Sequence, residues 1–123
     1  MIKTKRVYEA YAISDGTRFL VERLWPRGIK KENLVMQAWL KDVSPSPELR
    51  QWFQHDPEKW DEYQRRYKNE FECNSQSWDP ILEALKNDDV TLLYSARDTK
   101  KNSANLLKIF LEEWLARKGN LPF

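Results

Sequence analysis

Glycine is scarce in this 123-residue sequence, occurring only at Gly16, Gly28 and Gly119. A glycine-rich cradle for phosphate, of the Walker or dinucleotide-binding kind, cannot be built from so few. Cysteine and histidine occur once each, as Cys73 and His55. A lone cysteine excludes an intramolecular disulfide. With one histidine beside it, a structural zinc site of cysteine and histidine is excluded within one chain. There is no nucleophile elbow. A Ser-His-Asp arrangement would have to use His55, whose position before Asp56-Pro57 is better explained by helix capping. No apolar run approaches the about 20 residues of a membrane span. The opening Met1-Ile2-Lys3-Thr4-Lys5-Arg6 lacks the apolar core of a signal peptide. A charge excess is missing too: 21 basic side chains face 19 acidic ones, a net charge of +2. Composition therefore makes no strong case for nucleic acid. We expect a cytoplasmic protein with no membrane partner, for which nucleic acid is a disfavoured partner.

What is present points to one core. Hydrophobic residues make up 41% of the chain, and six tryptophans supply large buried area. That suits one domain over residues 1–123 and is too little for two. The stretch that organises the rest runs from Arg18 to Gly28. Phe19-Leu20-Val21 is a short continuous apolar run, extended by Leu24 and Trp25. Such a run fits a strand covered on both faces, as in a parallel sheet with helices above and below. Asp15-Gly16 before it is turn chemistry. Pro26 cannot donate to a ladder, so the strand is expected to stop near Trp25. Glu22 and Arg23 are the odd members. They need partners or water at the strand end, because unpaired charge inside a covered sheet is costly.

The remaining elements follow from pattern. Ile2 to Tyr8 reads as an edge strand, with lysines that discourage unwanted pairing. Leu34 to Leu40 fits either a strand or a helix by periodicity. Ser46-Pro47 is an N-cap followed by a first-turn proline, and Leu49, Trp52 and Phe53 form the buried face of a short helix. Asp56-Pro57 and Asp79-Pro80 repeat that device. Trp60, Tyr63, Tyr67 and Phe71 recur at helical spacing, and a core-facing stripe explains them better than base stacking. Cys73 has no motif around it and reads as incidental. Val90 to Ala96 is a second apolar strand. The last helix carries Leu106, Leu107, Phe110, Leu111, Trp114 and Leu115, with Lys118 and Gly119 as its stop.

Two apolar strands joined by a helical stretch form a crossover between parallel strands. The fold class expected is α/β: a small, mostly parallel sheet flanked by helices in one compact domain. The C-terminal ends of both strands then share one sheet edge, where open α/β sheets bind ligands. The sequence puts Arg23, Trp25, Arg27 and Gly28 there from one strand, and Ser95, Arg97 and Asp98 from the other. Asn102, at the start of the last helix, adds a position near free backbone N–H groups. Guanidinium forks gathered at one edge suit a phosphate or carboxylate. The expected partner is a small anionic ligand, with a nucleotide included in that class. Three alternatives stand beside it: an enzyme using Asp98 as catalytic acid/base, a nucleic-acid-binding module, and a protein-interaction domain. Spacing supports no metal site, and no cofactor can be named.

The run Val21-Glu22-Arg23-Leu24-Trp25-Pro26-Arg27-Gly28, with Trp39-Leu40 and Ser44-Pro45-Ser46, resembles the YeaO-like branch of domain-of-unknown-function family 488. Trp52-Phe53, His55-Asp56-Pro57 and Leu92-Leu93-Tyr94-Ser95-Ala96-Arg97-Asp98 extend the resemblance over nearly the whole chain. That family more often has Asp where Glu22 stands, and Ala at Ser44 and Ser95. The resemblance implies a compact cytoplasmic α/β domain of bacterial or archaeal type. It supplies no catalytic residues to carry over.

Overall fold

The structure is a computed structural model that describes residues Met1 to Lys118. Gly119, expected at the stop of the last helix, lies outside the described residues. Four strands form one sheet: β1 (Ile2–Arg6), β2 (Thr17–Leu20), β3 (Ala38–Trp39) and β4 (Val90–Tyr94). Their order is β1-β4-β2-β3, and every neighbouring pair is parallel. The helices are α1 (Pro47–Phe53), α2 (Trp60–Glu72), α3 (Ser75–Leu85) and α4 (Ser103–Arg117). The α/β class and the parallel pairing of the two apolar strands are as expected. β1 is an edge strand, also as expected.

Side chains alternate across each strand, and the two faces are covered differently. Phe19, Leu92 and Tyr94 face α2, α3 and α4 in the main core, against Tyr67, Trp78 and Leu111. Each such large apolar side chain stabilises the fold by about 1.5–3 kcal/mol when fully buried. The opposite face carries Leu20 and Leu93. Its cover is loop rather than helix: Val7 and Leu34, with Trp25, Ile29, Met36 and Trp39 around them. The aromatic stripe of α2 faces the core. Tyr63, Tyr67 and Phe71 are buried.

Two local expectations need correction, and one choice left open is decided for a short strand. First, β2 ends at Leu20 and not near Trp25. The Val21 N–H still reaches Leu93 O, but the Glu22 carbonyl is taken by the Trp39 indole N–H. Side chains then replace ladder partners, so regular pairing stops. Second, Leu34 to Leu40 is neither a helix nor a full strand. Only Ala38 and Trp39 pair, with Phe19 and Leu20. Third, Asp79 is no cap, because α3 already begins at Ser75. Trp78 is buried and its indole donates to Phe71 O at 3.0 Å, while the Ser77 hydroxyl donates to Asn74 O at 2.8 Å. These contacts start the helix a turn early. Pro80 then removes one N–H, and its missing acceptor partner Gln76 is exposed to water. The other two caps stand. The Ser46 hydroxyl accepts from Leu49 N–H, and the Asp56 carboxylate accepts from Glu58 N–H at the start of a 3-10 turn that runs into α2.

Candidate functional site

The C-terminal ends of β2 and β4 open on a cleft of about 570 Å³. One side is made by Glu22 to Leu24 after β2, by Tyr94 at the end of β4 and by Ser95 to Asp98 after it. Lys101 to Ser103, entering α4, continue that side. The other side is the junction of α1 and α2, with Arg50, Phe53, His55, Trp60 and Tyr63. A volume of this size is in the range of small-ligand pockets.

Five of the residues expected at the sheet edge do meet here: Arg23, Ser95, Arg97, Asp98 and Asn102. Trp25, Arg27 and Gly28 do not line the cleft. Because β2 ends early, the chain turns away after Leu24 and runs over the loop-covered face. Trp25 packs edge-on against Trp39, with ring centroids 5.3 Å apart, and its indole donates to Ile29 O. Arg27 is exposed, and its carbonyl accepts from the Tyr8 hydroxyl at 2.9 Å. Gly28 adopts φ 78° in open space, which any neighbour would tolerate but an L side chain resists.

The segment after β4 is held on both sides. Glu22 accepts from the Ser95 N–H and from the Ser95 hydroxyl. Arg6 donates from Nε to Ala96 O at 2.9 Å and from Nη2 to Ser95 O at 3.2 Å. Arg97 therefore projects from a fixed mount. Asp98 folds back on its own loop and accepts from the N–H groups of Lys100 and Lys101, both at 2.9 Å. The Lys101 and Lys100 N–H groups, with the charges of those lysines, hold its carboxyl below the usual range, against a smaller opposing effect of burial. Asn102 caps α4: its side-chain oxygen accepts from Asn105 N–H at 2.8 Å, and its amide donates to Asp98 O at 2.9 Å.

The electrostatic balance follows from these partners. The two cleft carboxylates, Glu22 and Asp98, are both engaged by backbone N–H groups. Arg23 is engaged as well, donating to Pro45 O and Ser44 O and lying 3.4 Å from Asp42. Arg50, Arg97 and Lys101 have no carboxylate partner among the described residues. All three are exposed, so water and salt screen them from one another, and they give the cleft a positive lining. No group of three or more His, Cys, Asp or Glu side chains among the described residues could hold a metal ion.

Arg50, Phe53, His55, Tyr63 and Lys101 escape a reading of the sequence. Arg50 and Phe53 are three apart, so they share one face of α1; that spacing is the available signal. His55 is presented by an unusual backbone. Gln54 and His55 both take positive φ, at 49° and 56°, which costs an L residue about 1–2 kcal/mol each. Gln54 ends α1 in the left-handed conformation common to helix stops. The second positive φ turns the chain sharply into Asp56-Pro57.

The chain matches, over residues 1–121, the family described as the inactive DUF488-N3 subclade. It is 40% identical over 114 residues to the uncharacterised protein YeaO of Escherichia coli, covering 93% of this chain and 96% of that protein. It is 48% identical over 69 residues to uncharacterised proteins of Mycobacterium bovis and Mycobacterium tuberculosis, covering 56% of this chain and 58% of each of those. No solved structure matches. Among the described residues, no helix is long and apolar enough to cross a membrane. The family match spans nearly every residue, the sheet edge and both walls of the cleft included, and the chain belongs to the YeaO-like DUF488 family.

Proposed function

We propose that this protein binds a small anionic ligand, bearing phosphate or carboxylate, in the cleft at the C-terminal edge of the sheet, and carries out no reaction on it. One observation carries the reading: Arg50, Arg97 and Lys101 face the cleft without carboxylate partners among the described residues, while Glu22 and Asp98 are spent on backbone N–H groups. The first N–H groups of α4 add donors at the same place. The absence of reaction is supported by Asp98. A general acid at neutral pH needs a raised pKa, but the carboxyl of Asp98 is shifted down, and as a base it is weakened because its Oδ1 already accepts from the Lys100 and Lys101 N–H groups. The family's description as an inactive subclade agrees. We also place the protein in the cytoplasm, where the exposed thiol of Cys73 stays reduced.

Inorganic phosphate at millimolar concentration is expected to raise the melting temperature, since a ligand selective for the native state stabilises it by mass action. Arg97→Ala is expected to abolish most of that gain. Arg27→Ala should leave it intact, because Arg27 lies outside the cleft. Equal gains in wild type and Arg97→Ala would place the anion elsewhere. The Asp98→Asn variant tests the chemistry. It should fold with lowered stability, bind phosphate at least as tightly, and show no turnover of phosphoesters or nucleotides, like the wild type. Wild-type turnover that disappears in folded Asp98→Asn would overturn the binding reading in favour of an enzyme.

A further inference from the structure

Beside its cations the cleft holds a wall of rings. Phe53 stacks on Tyr63 with centroids 4.1 Å apart and planes within 1° of parallel. Trp60 lies 6.0 Å from Phe53, and His55 lies at the same distance. A bare phosphate would occupy only a small part of about 570 Å³ and would leave this wall facing water. Tyr63 adds a polar group to the wall. Its side chain is 5% exposed and lines the cleft. Its hydroxyl opens on the cleft, since Arg18 Nε is the only fully buried side-chain polar atom without a partner among the described residues. Burial pushes its phenol up to about 12, against the charge of Arg50 and with that of Glu70. The hydroxyl therefore keeps its proton at neutral pH and remains a donor.

Resting on the anion-binding reading, we infer that the ligand is a nucleoside monophosphate: a planar base against Phe53, a sugar hydroxyl meeting the Tyr63 hydroxyl, and the phosphate between Arg50, Arg97 and Lys101. The arrangement of α1 favours this division of labour. Arg50 and Phe53 share one helix face, so the same helix offers a cation to the phosphate and a ring to the base. Base stacking on an aromatic side chain tolerates any base, so purine and pyrimidine nucleotides should both bind.

The test is calorimetric titration of the full chain with inorganic phosphate, ribose 5-phosphate, adenosine monophosphate and uridine monophosphate. Both nucleotides should bind roughly tenfold or more tightly than ribose 5-phosphate, the ratio that about 1.4 kcal/mol of stacking produces. Phe53→Leu, which keeps apolar bulk and loses the ring, should bring nucleotide and ribose 5-phosphate affinities together while leaving phosphate affinity unchanged. If Phe53→Leu does not fold, Tyr63→Phe carries the comparison. It should weaken nucleotide binding roughly fivefold, the effect of one hydrogen bond, and leave inorganic phosphate alone. Nucleotide and ribose 5-phosphate binding equally well in the wild type would overturn the inference and leave the anion site standing. No binding of phosphate or of any ester would overturn both.

Discussion

Replacing Asp15 with alanine should cost about 3–5 kcal/mol of stability, the usual result of removing one partner from a buried charge cluster. Asp15 is the hub of such a cluster beneath the sheet. Lys5 Nζ donates to both of its oxygens at 3.1 Å, Arg18 Nη1 donates at 3.0 Å, and the Ala12 N–H donates at 3.2 Å. Arg18 is 3% exposed, and Tyr11 covers its guanidinium at 5.1 Å. Its Nε already lacks a partner among the described residues. Without Asp15, two cations would remain in a dry site with nothing opposite. For a chain of this length the melting temperature should fall by about 10 °C or more in calorimetry. A fall of under about 3 °C would mean that water reaches the cluster and screens it. The same group sets an acid limit. Burial pushes the Asp15 carboxyl up, but hydrogen bonds from Lys5 and the Ala12 N–H, with the charges of Lys5 and Arg18, outweigh it and hold the carboxyl below its usual 3.8. The folded value lies below the unfolded one, so the unfolded chain takes up the proton first as pH falls. The stabilisation is complete above the unfolded value and is lost as pH drops through the folded one. Wild type should therefore lose stability below about pH 4 faster than Asp15→Asn does.

Gly16→Ala should be nearly as damaging, for a steric reason. Gly16 has φ 68°, and a Cβ there would meet Asp89 O at 2.2 Å and Asp89 C at 2.8 Å. Both are backbone atoms and cannot rotate aside. Asp89 cannot retreat without loss either. Its carbonyl accepts from Thr17 N–H at 2.9 Å, and its carboxylate is 3.2 Å from the N-terminal ammonium and 3.5 Å from Lys3. These contacts start β2 in register with β4. The strain at positive φ alone costs about 1–2 kcal/mol, and the displaced backbone bond adds about 1–3 kcal/mol. Gly28→Ala is the control. Its φ is 78°, but nothing lies within 4 Å of the added methyl, so only the first cost applies. Urea titrations of the two variants should separate by about 1–3 kcal/mol. Equal losses would show that conformation, not contact, governs Gly16.

The sequence makes some of this legible. Phe19 to Val21 and Val90 to Tyr94 are short β-rich runs bounded by polar residues, and such runs can only be buried strands once a helical connection joins them. That pairing brings Arg97 and Asn102 to the cleft without further information. Asp15 reads only as a turn residue, because its partner Lys5 belongs to β1 and the two meet through the fold. Arg27 and Arg97 look alike as arginines after an apolar run. What separates them is where each strand ends, and β2 is cut short by the Trp39 indole on the Glu22 carbonyl, a contact across 17 residues. The far wall is hidden for a similar reason. Arg50 and Phe53 belong to α1, and nothing local says that α1 leans over the ends of β2 and β4. Pro80 shows the limit of a cap rule: burial of Trp78 outweighs one missing N–H.

The central claim is that an anion sits among Arg50, Arg97 and Lys101, and a crystal soaked in phosphate tests it most directly. The account predicts tetrahedral density at the mouth of α4, within hydrogen-bond reach of Lys101, of Arg97 and of the Ser103 N–H. Phosphate ordered instead beside Arg27, or an empty cleft at saturating phosphate with Arg97 and Lys101 turned to solvent, would contradict it.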